Sequence, residues 1–591
     1  MAVKSLQWLD LKNYSRVYDY NTCVATNVKY PVARITRFRL TQLIYISGLA
    51  TTYAISPWSN YDPISLPKMF SLALGAFTIL LFVIGSRKIF IENFQSSLLI
   101  ASGSFLFFLI STLFLSEHQI SSQFWGSFGR NTGFLTYVSL LLILFATHLL
   151  ADIKLYERIL FAFTLGVIPM TLYGFIQLAG RDPIAWSEKA VFGTLGNINF
   201  LSAYFGMTSV AAIALASSRK YKNGLRIFIT SLALVNVSIA TSTKSIQGPI
   251  IFISGLAAVI FFHLTQAKQH KALFLVSYFV VAVSGVTAVV YALFNKGPLA
   301  SVIFQPSVIF RGDYMHAGWK MMLDHPLLGV GLDNYGDWYR EVRGEISTLR
   351  TGPGRISNTA HNIFLDIGSN GGVPLFLAYV TITLLAGGAI FGFIRKGTIA
   401  HPVVLAASAT WISYQIQALV SINQIGVGIW GWIFSGMLIG MRKIEISSSE
   451  LSSLKSKIEN FKDLRGKSVP ARLSMHAFAG AALGATLAFP PLSADVAYRA
   501  ATKTGQFENI YQATQKLGSS EFHGELLLDF AHNRNLASEV RLAAEGFLDE
   551  YPRNFFAWRL LSIASTGTDL QRLEALNKAR ALDPFNPELR Q

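Results

Sequence analysis

One long polar stretch, from Phe310 to Asn362, holds the residue types best suited to chemistry. It begins FRGDYMHAGWKMMLDHPLLGVGLDNYG and ends, after a further polar segment, with NTAHNIF at the foot of an apolar run. Arg311 lies near one end and His361 near the other. A guanidinium binds a diphosphate through paired hydrogen bonds, and an imidazole titrates close to neutral pH, which suits a general base. The stretch therefore predicts a site that acts on an anionic substrate.

Both residues also have ordinary structural explanations. A histidine at this position is often half-buried and hydrogen-bonded to backbone, and for His361 alone that is the commoner situation. An arginine after an apolar run can anchor the chain to lipid headgroups, which explains Arg311 equally well. Ionisable groups near a membrane span are nevertheless costly unless they are paired or used. The functional hypothesis therefore depends on the elements around the two residues.

Those elements are membrane spans. The chain has 591 residues, of which 52% are hydrophobic and only 14% charged, whereas a soluble domain has about 25% charged residues. The fold class that we predict is all-α, a polytopic transmembrane helical bundle of about 12–13 spans with a large extracytoplasmic loop and a C-terminal α-helical repeat domain. The predicted spans lie near residues 40–56, 67–85, 97–115, 132–151, 157–179, 199–217, 227–241, 247–264, 272–294, 372–394, 400–420, 424–441 and 474–490.

The net charge of +17 indicates membrane topology and not a nucleic-acid surface. Basic residues precede the first span and follow every even-numbered one, as the positive-inside rule requires for a cytoplasmic N-terminus. Arg181 and Lys189 run against this trend. We therefore expect the loop 295–361 outside the cytoplasm and no nucleic acid among the partners.

Two further cations lie on the predicted outer side, where basic residues are scarce. Lys244 stands in TSTKS, a very short connector between two spans, and Arg130 stands in FGRN. The long loop contains aspartates and glutamates as well as arginines, so its charges nearly balance and it has no overall positive potential. An anion site must be built from selected cations, and Lys244 and Arg130 are the additional candidates.

Composition divides the chain into a membrane part and a polar tail. Residues 1–39 are predicted as a cytoplasmic segment, 40–441 as the membrane core, and 442–473 as a cytoplasmic linker. The run 474–490 is short and rich in Ala and Gly, and we predict it as the last span. If it crosses the membrane, residues 491–591 lie outside the cytoplasm.

The tail, residues 491–591, has the pattern of paired amphipathic helices. YPRN at 551–554 and DPFN at 583–586 recur 32 residues apart. This spacing is close to the 34-residue period of tetratricopeptide repeats, whose helix pairs often end at a proline. Such repeats serve either as a docking surface for a partner or polymer or as a stabilising appendage, and the sequence leaves both interpretations open.

Searches for other chemistry find nothing in the sequence. It contains no GxxxxGK[ST] loop that would bind a nucleotide, no HExxH motif and no Cys/His metal cluster. Asp62, in YDP, has no second acidic residue beside it. We therefore expect no metal and no cofactor.

Four motifs in order carry a resemblance to a known family. They are FGTLGNINFLSAYF, TSTKSIQG, DHPLLGVGLDNYG and AHNIFLDIGSNGGVPLF. In order and spacing they resemble the O-antigen ligase and polymerase superfamily, bacterial polytopic enzymes that act on undecaprenyl-diphosphate-linked glycans at the outer face of the inner membrane. The resemblance covers residues 40–441 in topology, with the motifs between Phe192 and Leu377. Tail repeats also occur in some members.

The resemblance implies roles for the candidate reactive residues. His361 matches a histidine proposed to activate the acceptor hydroxyl, and Arg311 matches a diphosphate-binding arginine. Lys244 falls where many members have an arginine, so the charge is kept but the planar fork that binds phosphate bidentately is lost. Arg130 is a third candidate cation.

Other matching residues are expected to shape the site. Asn197 and Asn199 match the Gly-Asn-x-Asn element of the family, and we expect them to form the span entrance and not to react. Asn362 follows the histidine and is expected to be structural. Gly329 and Gly331 are expected to let the long loop fold back over the site.

The function that this resemblance implies is metal-independent transfer of a glycan from a lipid diphosphate to an acceptor. The acceptor can be a lipid, as in a ligase, a second lipid-linked repeat, as in a polymerase, or a protein hydroxyl, as in a protein O-oligosaccharyltransferase. A non-enzymatic transporter of a lipid-linked polymer is the alternative from another class, although its spans would carry charged residues along a pathway. Expected partners are the donor, the acceptor, membrane lipids and a protein bound through the tail.

Overall fold

The computed structural model describes residues 29–186, 190–444 and 469–589. Lys189 and most of the predicted linker 442–473 lie outside these residues. The described parts consist of α-helices, short 3-10 turns and loops, and they contain no β-strand. The predicted all-α, polytopic class is confirmed.

The helices follow one another along the chain with short connectors. In order they are α1 (Lys29–Tyr53), α2 (Ser65–Gly85), α3 (Arg87–Phe90), α4 (Ser96–Leu115), α5 (Ile120–Trp125), α6 (Phe134–His148), α7 (Ile153–Leu165), α8 (Ile168–Leu178), α9 (Ile198–Ala216), α10 (Asn223–Ser242), α11 (Gln247–Thr265), α12 (Lys271–Leu293), α13 (Ala300–Ile303), α14 (Pro306–Asp324), α15 (Tyr335–Val342), α16 (Glu345–Thr351), α17 (Ile363–Arg395), α18 (Pro402–Val420), α19 (Ile425–Met441), α20 (Ala471–Thr502), α21 (Phe507–Thr514), α22 (Glu521–Asn533), α23 (Ala537–Glu550), α24 (Phe555–Ile563) and α25 (Asp569–Leu582).

Each predicted span overlaps one of these helices, except 157–179, which overlaps the consecutive helices α7 and α8. Within the described residues ten helical segments, with α7 and α8 counted as one, are long and apolar enough to cross a membrane. The helices α6 and α19 are apolar but shorter, and α1 packs against α2 and α19. The bundle core is formed by α9, α18 and α19, which are the most completely buried helices.

Small residues allow α20 to pack closely against α2. A Cβ on Gly480 would lie 2.8 Å from the Cα of Thr78, and Gly484, one turn further, meets α2 equally closely. This GxxxG spacing is the usual device for close approach of membrane helices. Arg472 at the start of α20 donates to the carbonyl of Gly85 at the end of α2, at 3.0 Å, so the two helices run antiparallel. The predicted span 474–490 is thus integrated into the bundle.

The connectors gather at two ends of the bundle. At one end, which we call the loop end, the long segment 295–362 meets the connector 126–133, where the N–H of Thr132 donates to Asp333 at 3.0 Å. The same connector meets the start of α2, where Ser65 Oγ donates to the carbonyl of Gly129 at 2.7 Å. At the other, the basic end, lysines and arginines bind the connectors. Examples are Lys443 Nζ on the carbonyl of Phe94 (2.8 Å) and Lys220 on Glu157 (2.8 Å).

The helix α17 is broken near its start. Gly372 has φ +73°, where a right-handed helix cannot continue, and Pro374 follows it. The segment before the break, 363–371, lies at the loop end, and the apolar remainder begins where the sequence predicts a span, at 372. The short first segment is therefore free to carry polar residues next to the long loop.

The C-terminal helices α21–α25 also lie at the loop end. Asp495, in the last part of α20, accepts hydrogen bonds from the backbone N–H groups of Tyr61 (2.8 Å) and Asp62 (3.2 Å). Its other oxygen is 3.0 Å from Nε2 of His523 in α22. These contacts fix the start of the tail to the α1–α2 connector. The tail is helical as predicted, and its tetratricopeptide character stays a prediction.

Cysteine labelling can test this arrangement. With Cys23→Ser as background, we expect a membrane-impermeant maleimide added to spheroplasts to label both Leu349→Cys and Leu570→Cys, which stand at side chains 69% and 75% exposed. Both lie at the loop end, which the positive-inside rule places outside. Arg219→Cys, at the basic end, should react only after permeabilisation. Labelling of Arg219→Cys from outside would mean that the basic end, and not the loop end, faces outward. Labelling of only one of Leu349→Cys and Leu570→Cys would mean that the loop and the tail do not lie on the same side of the membrane.

Candidate functional site

His361 occupies a strained position directly before α17. Its backbone φ is +53°, a left-handed conformation that few residues other than glycine adopt. Asn362 caps α17, because its Oδ1 accepts from the N–H groups of Phe364 (3.0 Å) and Leu365 (3.1 Å), and its Nδ2 donates to the carbonyl of Leu419 at 3.1 Å. The helix α17 thus begins directly after His361, at a capped end. Strain of this kind is concentrated at functional sites.

Arg311 and Tyr314 lie one turn apart on α14, so they share a helix face. The ring of Tyr314 packs against that of His361, with centroids 5.2 Å apart. Nη2 of Arg311 donates to Oε1 of Gln247, the first residue of α11, at 3.4 Å. The two residues singled out by the sequence are thus brought to the same place by α14 and the start of α17.

The protonation state of His361 is set by this environment. Burial and, to a lesser degree, the positive charges of Arg311 and Arg130 lower the pKa of His361 to about 3. Among the described residues neither ring nitrogen has a hydrogen-bond partner. At neutral pH the imidazole is therefore uncharged and able to accept a proton from a bound ligand.

Arg130 is buried at the centre of a network that joins three distant segments. Its Nη2 lies 2.7 Å from Oδ2 of Asp366 and 3.3 Å from Oδ1 of Asp333, and its Nη1 donates to the carbonyl of Asn358. Asp366 also accepts from the N–H of Ala360 at 3.0 Å. The network fixes the backbone on which His361 stands. As a diphosphate ligand Arg130 stays a prediction; a diphosphate would have to compete with two carboxylates that already bind this guanidinium.

Two of the sequence motifs meet at the break in α17. The N–H of Val330 donates to the carbonyl of Ser369, and that of Val373 to the carbonyl of Pro326, both at 2.8 Å. Gly329 has φ +62° and leaves no room for a Cβ against residues 369–371. Gly331, with φ +91°, lies against Asn334 in the same way. These glycines let the loop turn back onto the first segment of α17; that they fold the loop over the reactive residues stays a prediction.

Lys244 lies in a tight turn beside the starts of α9 and α11. It has φ +60°, and its side chain is exposed. The next residue, Ser245, donates through Oγ to Oδ1 of Asn199 at 2.7 Å. Asn197 caps α9 and accepts from the N–H of Asn199 at 2.8 Å. Gln247, three residues further on, contacts Arg311 at 3.4 Å, and the role of Lys244 as a diphosphate ligand stays a prediction.

Four residues at the site were not predicted from the sequence, although a sequence feature marks each of them. Asp366 is an acidic residue in the first turn of an apolar helix, where a charge is rarely found without a partner. Asp333 lies inside the motif GLDNYG, Tyr314 follows Arg311 by one helical turn, and Gln247 follows TSTKS. Asp333 and Asp366 hold Arg130; Tyr314 and Gln247 contact His361 and Arg311.

The C-terminal tail contacts the long loop through its two recurring turns. In one turn Asp583 binds the fully buried guanidinium of Arg343 at 2.8 Å and Arg340 at 3.2 Å. In the other, Arg553 pairs with Glu341 and lies over the ring of Trp338. All four partners belong to α15 or follow it directly. The tail is therefore packed onto the loop that carries the site and is not a separate appendage.

Comparison with known families agrees with the motifs. Residues 229–380, about a quarter of the chain, match the family model described as O-antigen ligase. The matched segment runs from α10 to α17 and contains Lys244, Arg311 and His361. It supports the O-antigen ligase superfamily that the sequence resembles, but it ends before the tail. No curated protein matches the chain.

The lowered pKa of His361 can be measured by NMR. With 15N-labelled histidine, and His361→Gln to assign the signal, we expect the ring to stay neutral from pH 8 to pH 5. The pKa of His361 in the folded protein lies below the ordinary value near 6.5, so the ring takes up a proton only at more acid pH. Arg311→Gln should raise the pKa only in part, because burial is the larger cause. Titration near pH 6.5 would contradict the environment described here.

The buried pair between tail and loop gives a stability prediction. Asp583→Ala leaves the guanidinium of Arg343 buried without a carboxylate, and loss of one partner of a buried pair costs about 3–5 kcal/mol. We expect a lower unfolding midpoint and faster tryptic cleavage of the loop in detergent. Asp569→Ala is the matched control, because its pair with Arg572 is exposed. Equal behaviour of the two variants would show that the Asp583 pair does not hold the loop.

Proposed function

We propose that this multi-pass membrane protein of the O-antigen ligase superfamily transfers a glycan from an undecaprenyl-diphosphate-type carrier to an acceptor at the outer face of the bacterial cytoplasmic membrane. The observation that carries the proposal is the pairing of His361, neutral and with unpartnered ring nitrogens among the described residues, with Arg311 across the ring of Tyr314. A base and a cation at one membrane surface are what displacement of a diphosphate requires.

In this proposal Arg311 and Lys244 bind the diphosphate. Negative charge accumulates on the leaving group as its bond to the anomeric carbon breaks, and fixed cations stabilise that charge without a metal or ATP. Arg311 suits the role because its partner is the neutral amide of Gln247, which a phosphate oxygen can replace. Lys244 is exposed on the adjoining turn.

His361 then acts as the base. Its ring accepts the proton of the acceptor hydroxyl, the hydroxyl oxygen bonds to the anomeric carbon, and the diphosphate leaves with the electrons of the broken C–O bond. The pKa of about 3 makes the free imidazole a weak base. Binding of the anionic donor offsets the positive charge of Arg311 and therefore raises the pKa of His361 in part, since burial is the larger cause of the lowered value.

The donor lipid has an apolar surface beside this site. The helix α12 leads directly into the segment that carries Arg311, and its side chains are almost all exposed and apolar. Residues at its loop end, among them Val289, Tyr291 and Leu293, are exposed. An isoprenoid chain along this surface would leave its headgroup level with α14.

The outer-face orientation is supported by charge. Basic connectors lie at the end opposite the site, and they belong on the cytoplasmic side by the positive-inside rule. The acceptor can be a lipid, a second lipid-linked glycan or a protein hydroxyl. A protein partner can reach the same face through the tail.

Substitutions at the two reactive positions test the mechanism. In a transfer assay with lipid-linked donor, His361→Ala and Arg311→Ala should each abolish product, the second because loss of such a charge interaction costs about 3 kcal/mol or more in the transition state. Lys244→Arg should keep or raise activity, and Lys244→Ala should lose most of it. Matched controls are His316→Ala on α14 and Arg350→Ala in the same loop, which should stay near wild type. Near-normal activity of His361→Ala would place the base elsewhere.

Metal dependence gives a separate test. The described residues contain no group of histidines, cysteines and acids arranged to hold a metal, and the cations above take the role that a metal would have. We expect turnover to persist in EDTA. Loss of turnover in EDTA that an added divalent cation restores would contradict the metal-free mechanism while leaving the roles of His361 and Arg311 to be tested by the substitutions.

A further inference from the structure

The helix α14 has an apolar face that no other described part of the chain covers. Trp319 and Leu323 lie one turn apart on this helix, and Leu327 follows in the turn after it; their side chains are 48%, 55% and 74% exposed. Tyr314 and Met321, on the opposite side of the helix, are buried. Large apolar side chains that are exposed together mark an interaction surface.

This apolar face is confined to the second half of α14. In the first half, the exposed residues on the same side are Gly312 and His316, which have no large apolar side chain. Lys320 is exposed beside Trp319, and a lysine at such a place covers apolar surface with its methylene groups while its ammonium stays in water. Tryptophan and lysine are typical anchors at a membrane interface. The second half of α14 thus has the composition of a helix that lies in the plane of the interface.

The break in α17 sets the level of this face relative to the membrane. The N–H of Val373 donates to the carbonyl of Pro326 at 2.8 Å, and a Cβ on Gly372 would lie 2.6 Å from the carbonyl carbon of Leu327. Arg395, at the basic end of α17, follows Gly372 by 23 residues. At 1.5 Å per residue this distance is about 35 Å, slightly more than the ~30 Å of a hydrocarbon core. With Arg395 among the headgroups of one leaflet, Leu327 therefore lies at the headgroups of the other.

Lipid around the span α17 reaches almost to this level. Leu377, Leu384 and Phe391 recur every seven residues on the span and are 54%, 67% and 61% exposed, so they form one stripe that faces lipid. Leu377 follows Gly372 by five residues, which is about 7.5 Å along a helix. Since Leu327 packs against Gly372 and α14 packs against α17, the apolar face of α14 adjoins a surface that is already in contact with lipid.

We propose that α14 is a membrane-surface helix. Its partner is the phospholipid of the leaflet at the loop end, and Trp319, Leu323 and Leu327 insert at the boundary between headgroups and acyl chains. The segment 306–327 of the long loop then lies on the bilayer and not in free solution. Because Arg311 stands on the first half of the same helix, this insertion fixes its height above the lipid. The inference uses neither the catalytic role proposed for His361 nor the phosphate-binding role proposed for Arg311.

Nitroxide labels can measure the environment of this face. On the Cys23→Ser background, single cysteines are labelled in the full-length protein, which is reconstituted in nanodiscs of phosphatidylethanolamine and phosphatidylglycerol. Power-saturation EPR compares collisions with oxygen, which concentrates in hydrocarbon, and with a nickel chelate, which stays in water. The aqueous control is Leu570→Cys in the tail, at a side chain 75% exposed, and the bilayer control is Leu384→Cys in α17, at one 67% exposed. We expect the oxygen-to-nickel collision ratio of Leu323→Cys to exceed that of Leu570→Cys about fivefold or more, because such faces insert 5–10 Å into the boundary region.

The other outcomes each decide against the proposal. Trp319→Cys and Leu327→Cys should give ratios like that of Leu323→Cys; ratios equal to that of Leu570→Cys at all three positions would place the face in water, as expected for a surface kept for a protein partner. Broadening of the Leu323→Cys spectrum that dilution with unlabelled protein removes would assign the face to a second copy of the chain. Glycan transfer is not measured in this experiment, so its result is independent of the proposed function.

Discussion

The structure depends on one buried cation. Arg130 brings together Asp333 and Asp366, so the connector before α6, the long loop and the start of α17 must all meet at one point. Taking a guanidinium out of water is costly, and the cost is recovered only with good partners; loss of either carboxylate would remove one of the two ion pairs that hold these segments together. Because Asp366 also holds the N–H of Ala360, the position of the imidazole at 361 is set by the same interaction.

The long loop is held from both sides. Arg130 and the glycine turn at 329–331 fix it to the bundle, and the turns around Arg553 and Asp583 fix α15 from the tail. The two tail turns are equivalent positions of the recurrence, so the spacing of 32 residues places both on one short helix. The tail and the bundle therefore hold the same part of the loop from opposite sides.

Sequence patterning predicted the spans well and the polar network poorly. Runs of apolar residues and basic connectors are local signals, so the predicted spans coincide with helices, including the broken helix whose apolar part begins at 372. The candidates Arg311 and His361 followed from a motif and from the cost of ionisable groups near a membrane. Contacts such as Asp366 with Arg130, or Asp583 with Arg343, join residues more than two hundred positions apart. No local sequence pattern encodes such pairs. The one local indication was an acidic residue, Asp366, in the first turn of an apolar helix, where a charge needs a partner.

The arginines of the loop end form two groups, those paired with carboxylates and those that contact neutral groups. This difference favours a structural role for the first group and a binding role for the second. Arg130, Arg340 and Arg343 face carboxylates in buried or half-buried surroundings, which neutralises them and leaves them to hold the fold. Arg311 faces an amide, and Arg355 lies over the ring of Phe310 at 5.2 Å, beside Arg311 in the chain. A diphosphate carries at least two negative charges, so it is best met by cations whose present partners are neutral. Since phosphate binding would cost a carboxylate-paired arginine an ionic partner but would cost Arg311 only a neutral amide, the charge balance favours the proposed role of Arg311 in binding the diphosphate.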